Sequence, residues 1–133
     1  MSAAERVPVK EGLFALDGDA AVLLGGHCPG CGRWSFPAQT VCPYCGDDGC
    51  QVRRLGRIGV LQLCTTVTNR PPGYDGPLPF GFGVVELPEG IRVLSRILQP
   101  ERLRPGDRVQ CTLDVLNCID GRDVVTYAFG HIE

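Results

Sequence analysis

Two copies of the pattern Cys-Pro-x-Cys-Gly, Cys28-Pro29-Gly30-Cys31-Gly32 and Cys42-Pro43-Tyr44-Cys45-Gly46, stand ten residues apart in this chain. Each Cys-x-x-Cys turn aims two sulfurs at one point, and the glycine behind it lets the backbone fold back on itself. Two such turns supply four thiolates in a tetrahedron, the arrangement zinc takes in structural sites with Zn–S near about 2.3 Å. Cys28, Cys31, Cys42 and Cys45 are therefore the expected metal ligands, and Zn²⁺ the expected ion. A tetrathiolate site has no coordination position left for a substrate, so the metal's expected role is to contribute folding energy. Iron in a rubredoxin-like electron carrier reads through the same knuckles and stands as an alternative.

The remaining thiols and the histidines offer less. Cys50 lies close enough to the second knuckle to compete as a ligand, though its plainer reading is a reduced thiol on the last strand of the metal unit. Cys64, Cys111 and Cys118 fall in segments of strand character, where cysteine behaves as a small buried hydrophobe. A catalytic thiol needs a histidine base and an electropositive pocket. The only two histidines are His27, beside a metal ligand, and His131, at the end of the last strand segment. Carboxylates are scattered over turns, with no Ser/His/Asp order, no phosphate-cradling glycine motif and no HExxH. No self-sufficient active site is expected in this chain.

The elements that must carry these residues are mostly strands. In 133 residues, 18 glycines and 11 prolines punctuate the sequence too often for long helices. A lead-in over 1–20 is expected to hold a short helical turn at 9–16, broken at Gly12 and Gly18. A ribbon over 21–55 carries the knuckles. Five strand-length segments come after it over 56–133, at 58–68, 80–87, 91–98, 108–118 and 124–132. Alternation is plain where Val109, Cys111, Leu113 and Val115 share a face, and where Val125, Tyr127 and Phe129 fall two apart. Five short antiparallel strands predict a mainly β protein with a small barrel of the OB type, a pattern that an SH3-like barrel shares. Between the first two strand segments, residues 69–79 form a long proline-rich loop, and loops of that length are often functional. With Tyr74 inside it and Phe80 and Phe82 just beyond, this loop is the candidate element for reaching a ligand or partner. Arg53, Arg54 and Arg57, at the junction of ribbon and barrel, are candidates for contacting phosphates or for docking a partner.

The formal charge of −2 gives no basic domain, which counts against nucleic acid as a partner, although a zinc-ribbon and OB module that binds nucleic acid stays open. Lys10 is the only lysine against twelve arginines. The start of the chain has no apolar signal region and no stretch is long enough to span a bilayer, so a soluble, cytoplasmic protein without a membrane partner is expected.

The order of motifs resembles one family. Cys28-x-x-Cys31-Gly32, Trp34-Ser35-Phe36-Pro37, Cys42-Pro43-x-Cys45, Gly56 to Gly59, Thr65-Thr66-Val67, Pro79-Phe80-Gly81, Glu89-Gly90-Ile91-Arg92 and Gly106-Asp107-Arg108-Val109 succeed one another as in the acyl-CoA-associated zinc-ribbon and OB-fold proteins grouped as domain of unknown function 35. The resemblance implies a rubredoxin-like zinc ribbon followed by a five-stranded OB-fold barrel. It also implies an accessory subunit of a thiolase-like or hydroxymethylglutaryl-CoA-synthase-like enzyme, with the catalytic residues on the partner chain. In that setting Tyr74, Phe80 and Phe82 would help form the partner's acyl-CoA site, within a hetero-oligomer. An acyl substrate from aromatic-compound degradation is the expectation that goes furthest. The lead-in is short and broken compared with many relatives, which bears on how the subunit docks.

Overall fold

The segments after Arg57 form strands where their alternation predicts. The computed structural model describes residues 5–8, 10, 12–17, 20–72, 76 and 78–132. Ten strands run in the order β1 (Glu5–Pro8), β2 (Phe14–Asp17), β3 (Ala20–His27), β4 (Trp34–Ser35), β5 (Gln51–Arg54), β6 (Ile58–Val67), β7 (Phe80–Glu86), β8 (Arg92–Ile97), β9 (Arg108–Ile119) and β10 (Arg122–His131). A 3₁₀ turn at Pro100–Arg102 is the helical element among the described residues, and no helix there is long and apolar enough to cross a membrane.

Strands β6 to β10 close into a barrel in the order β10-β8-β7-β6-β9, with β9 pairing back onto β10. The β10–β8 pairing is parallel and the other four are antiparallel. The ribbon is a separate sheet in which β3 pairs with β2, β4 and β5. The OB-fold barrel and the zinc ribbon are thus both formed.

The lead-in corrects the sequence reading. Its expected helical turn is replaced by strand: Phe14–Asp17 forms a hairpin with Ala20–Leu23, and Glu5–Pro8 joins the edge of the barrel sheet beside β10. Gly12 takes a left-handed φ of 87°, which L side chains avoid, and the few residues around it are too short for an isolated helix. Pairing with β3 satisfies the backbone instead and buries Phe14.

One core serves both sheets. Phe14, Leu23 and Leu55 of the ribbon side pack with Leu61, Val85, Val93, Ile97, Val109, Val125 and Phe129 of the barrel. Tyr127 stands at the seam, edge-on to Phe14 at 6.1 Å and to Phe36 at 5.6 Å between ring centroids. Burial raises the Tyr127 hydroxyl above its usual pKa, with the neighbouring Cys111 adding to the effect, and the hydroxyl donates to the carbonyl of Leu94 at 2.9 Å. Of the strand cysteines, Cys111 is buried as expected and burial pushes its thiol up to about 12. Cys64 is half-buried, while Cys118 is exposed near the tip of the β9–β10 hairpin and does not act as a buried hydrophobe.

Two local features aim the outer face of the barrel. In β7 the run Phe80-Gly81-Phe82-Gly83 places its glycines inward, where strands crowd them. A Cβ on Gly83 would collide with the carbonyl of Leu63, and one on Gly81 with the carbonyl of Ile97. The aromatic rings therefore lie on the outer side. In β6 the register shifts between Leu61 and Leu63, so that Leu61 sits opposite Val85 and Leu63 opposite Val84. A bulge inserts one residue and re-aims the side chains beyond it. Simple alternation would bury Leu61 and Leu63 together, but the bulge turns Leu63 to the outside.

Gly83→Ala is expected to destabilise the fold by about 1–3 kcal/mol through this overpacking, while Cys118→Ser stays near wild type. Denaturant midpoints at constant m-value check both.

Candidate metal centre and apolar barrel face

The two knuckles are built alike. The carbonyl of Cys28 accepts from Gly32 N–H at 2.7 Å, and that of Cys42 accepts from Gly46 N–H at 3.0 Å. Cys28 N–H donates to Arg33 O at 3.0 Å, and Cys42 N–H to Asp47 O at 2.7 Å. Gly32 and Gly46 both take positive φ, 75° and 81°, which is why glycine stands after each second cysteine.

The four sulfurs meet. They lie within 4.8 Å of one another, with Cys28 to Cys45 at 3.6 Å and Cys31 to Cys42 at 3.7 Å. A tetrahedron with about 2.3 Å bonds has sulfurs about 3.8 Å apart, so the donor set fits zinc, and these separations are far beyond the roughly 2.05 Å of a disulfide. Cys28 and Cys42 are buried, whereas Cys31 and Cys45 are exposed.

The thiols also constrain one another as acids. The N–H of Cys45 is the largest influence holding Cys42 down to about 6, helped by the N–H of Tyr44 and the neighbouring sulfurs against burial. For Cys45 the N–H of Asp47 favours the thiolate, but the Cys28 sulfur, burial and the other two sulfurs outweigh it and push the thiol up to about 12. Cys31 shows the same balance: the N–H of Arg33 lowers it, and burial with Cys42 and Cys28 raises it further. Four anions cannot gather at this spacing alone. A divalent cation ionises them together, and the zinc ribbon is a zinc-binding module. Bound zinc supplies folding energy and charge neutralisation, with every coordination position taken by sulfur.

The barrel face gathers a second set of residues. Phe80 and Phe82 belong to β7 and are half-buried on its outer side, held by the strand and not by the loop before it. Arg96 of β8 lies over the Phe80 ring, 4.6 Å from its centroid, and its Nε donates to Asp114 Oδ2 at 2.7 Å. Next to them the registers align Leu63, Val84 and Leu94 across β6, β7 and β8. Leu63 is 59% exposed and Leu94 60% exposed, so the row is an apolar strip on the surface. A groove of about 440 Å³ opens beside Phe80, lined by Cys64, Thr66, Pro79, Pro100, Leu103 and Arg104.

Tyr74 lies outside the described residues. Within the loop, Arg70 Nη1 donates to the carbonyl of Gly76 at 2.9 Å. Arg53, Arg54 and Arg57 are exposed, but Arg53 and Arg54 are successive residues of β5 and face opposite ways. Arg53 also donates to Gln51 Oε1 at 2.7 Å. His27 packs against Trp34 at a tilt of 51°, with ring centroids 4.6 Å apart. Sequence reasoning missed Leu63, Leu94 and the Arg96–Asp114 pair. The alternating glycines of β7 were the available signal for the outward aromatics, and nothing local announces the bulge that exposes Leu63.

Known proteins share this architecture. Residues 19–50 match the family described as ChsH2, rubredoxin-like zinc ribbon domain, and residues 52–114 match ChsH2, C-terminal OB-fold domain. The chain is 32% identical over 119 residues to benzoylsuccinyl-CoA thiolase subunit BbsA of Thauera aromatica, covering 87% of this chain and 81% of that one. It is 28% identical over 109 residues to a DUF35 domain-containing scaffold protein of Pyrococcus furiosus, covering 80% and 79% of the two chains. A solved structure titled Ltp2-ChsH2(DUF35) aldolase has the same fold, with a TM-score of 0.60, 21% identity and coverage of 80% of this chain and 84% of that one.

Cys45→Ser is expected to weaken zinc binding by more than about 100-fold, beyond what loss of an outer-shell partner costs, as measured by competition with a chromogenic chelator. Lowering the pH puts protons in competition for the thiolates, so zinc held at neutral pH is released as the solution is acidified, which a zinc-to-protein ratio across a pH series will show.

Proposed function

The chain belongs to the ChsH2/DUF35 family of zinc-ribbon and OB-fold proteins, and on that basis we propose that it is the accessory, non-catalytic subunit of a thiolase-like acyl-CoA acyltransferase complex. The observation that carries this reading is the apolar strip of Leu63, Val84 and Leu94 beside Phe82 and Phe80. An exposed apolar patch on a folded chain marks a surface that another protein covers, and relatives of this chain are named as a thiolase subunit and as scaffold proteins. The closed tetrathiolate agrees with it, because the metal is left with no position for a substrate. The catalytic cysteine and histidine then belong to the partner.

In this reading the aromatic end of the strip forms one wall of the partner's acyl-CoA site. Phe80 is fixed from above by Arg96, so it presents a rigid apolar surface at little entropic cost. The groove next to it lies within the size range of small-molecule sites, and its lining includes Glu101 and Arg104. Tyr74, outside the described residues, belongs to the same proposed acyl-CoA loop. Arg53 and Arg54, facing opposite ways from β5, and Arg57 after it are candidate docking contacts at the junction of ribbon and barrel. The similarity to the Thauera subunit makes an aryl-substituted acyl-CoA, as in benzoylsuccinyl-CoA thiolysis, the first substrate class to test.

Co-expressed with a thiolase-like chain of its own genome, the protein is expected to appear in native mass spectrometry as a hetero-oligomer with one zinc per small subunit. A stable lone monomer under those conditions would sink the proposal. Leu63→Glu combined with Leu94→Glu is expected to weaken the complex at least tenfold while zinc content and melting temperature hold. Phe80→Ala is expected to leave the complex assembled and lower its turnover of the acyl-CoA.

A further inference from the structure

Strand β5 is the outer strand of the ribbon sheet, pairing with β3 and with no other strand among the described residues. Leu24 N–H donates to Leu13 O on one side of β3, and Leu23 O accepts from Leu55 N–H at 2.9 Å on the other. Successive residues of a strand aim their N–H and C=O groups to opposite sides. With this phase Gln51 and Arg53 bond to β3, while Val52 and Arg54 turn their backbone groups outward. Cys50, next in the outward series, agrees: its N–H leaves the sheet and donates to Thr40 O at 3.3 Å. No described residue bonds to the outward groups of Val52 and Arg54. All four residues of β5 are exposed, and Val52, at 66%, is more exposed than Leu63 or Leu94.

The charge along this edge is one-sided. Arg53, Arg54 and Arg57 line it, Arg53 Nη2 donates to Gln51 Oε1 at 2.7 Å, and none of the three is ion-paired among the described residues. Nearby carboxylates are held elsewhere. Asp47 Oδ1 accepts from Gly49 N–H at 2.8 Å, and both Glu89 oxygens accept from Gly56 N–H, at 3.2 and 3.0 Å. Asp48 precedes Cys50, outside the free edge.

Resting on the companion-subunit reading above, we propose that β5 is the strand-addition site for an extended, acidic segment of the catalytic partner chain. The segment bonds its main chain to the outward groups of Val52 and Arg54, covers the Val52 side chain and sets carboxylates beside the arginines. A second copy of this chain does not suit the edge. Antiparallel self-pairing brings arginines of the two β5 strands next to one another, and like charges across a ladder repel. The arginines therefore reject the self-pairing to which a free edge is prone and select the opposite charge. Strand addition is a main-chain contact, separate from burial of the apolar strip on the barrel.

The test uses the full chain assembled with a thiolase-like chain of its own genome. Amide exchange, followed residue by residue in the free subunit and in the complex, reads the pairing directly. Arg53 N–H, bonded to β3, is expected to exchange slowly in both, and Val52 and Arg54 N–H to slow at least about 10-fold on assembly. Val52→Pro deletes one outward N–H and no bond to β3, and strand edges tolerate proline. It is expected to keep zinc content and melting temperature and to weaken the complex at least about fivefold, with Val52→Ala near wild type. Should Val52→Pro fold poorly, amide exchange in the unmodified complex decides. Arg53→Glu with Arg54→Glu is expected to weaken assembly at low salt, with a loss that shrinks as ionic strength rises. A complex whose Val52 and Arg54 amides exchange as in the free subunit overturns strand addition and leaves the companion-subunit reading standing. Indifference to the charge reversal overturns the acidic character of the segment. Protection of the same amides in the isolated subunit, rising with its concentration, assigns the edge to a second copy and overturns the proposal. Failure of any complex to form overturns both readings.

Discussion

Four sulfurs brought within 4.8 Å of one another repel as anions and cannot all ionise until a divalent cation joins them. That constraint governs the ribbon. The segment between β3 and β5 contains two residues of strand and buries little beyond Cys28, Ser35 and Cys42, so its order comes from the metal and not from a hydrophobic core of its own. A bound cation would hold the end of β3 through Cys28, and the paired strands β3 and β5 lead Leu23 and Leu55 into the barrel core. Metal binding and barrel packing are coupled through these strands, which makes the zinc part of the folding of the whole molecule.

On the barrel, the outer face owes its character to two departures from regular strand geometry. Glycines at 81 and 83 let β7 run close to its neighbours and leave the aromatic side chains no place but outside. The bulge in β6 reverses the direction of Leu63 and lines it up with Val84 and Leu94. A protein that needed only stability would bury those leucines. Their exposure, next to an aromatic ring pinned by a salt-bridged arginine, suits a surface whose apolar area is covered in an assembly. The closed metal site, with every coordination position taken by sulfur, fits an accessory subunit.

The zinc site was fully legible from sequence because the information is local: two Cys-x-x-Cys turns and their glycines define each half of the tetrahedron within five residues. The barrel strands were legible for a similar reason, since period-two alternation and turn residues mark them, and the observed β6 to β10 fall within a few residues of the segments expected. The features that sequence reading got wrong or missed depend on pairing across distance. A short stretch around Gly12 has no intrinsic preference strong enough to decide between turn and strand, and β3 decided it by offering unpaired backbone and a core position for Phe14. The direction of Leu63 rests on a one-residue register shift against β7, which no local pattern encodes. The pairing of Arg96 with Asp114, on successive strands that are not neighbours in the sheet, exists only once the barrel closes.

Cys50 shows the division at a single residue. Its spacing from Cys45 raised it as a possible ligand, although a reduced thiol was the plainer reading. The structure leaves it outside the four-sulfur cluster, half-buried, with its N–H donating to the carbonyl of Thr40 at 3.3 Å. From sequence alone came the metal, its four ligands and the strand content, because those are set by residue types a few positions apart. The tertiary structure alone decided which leucines face solvent, which ring an arginine holds and where the fifth thiol stands, because each depends on how distant strands align.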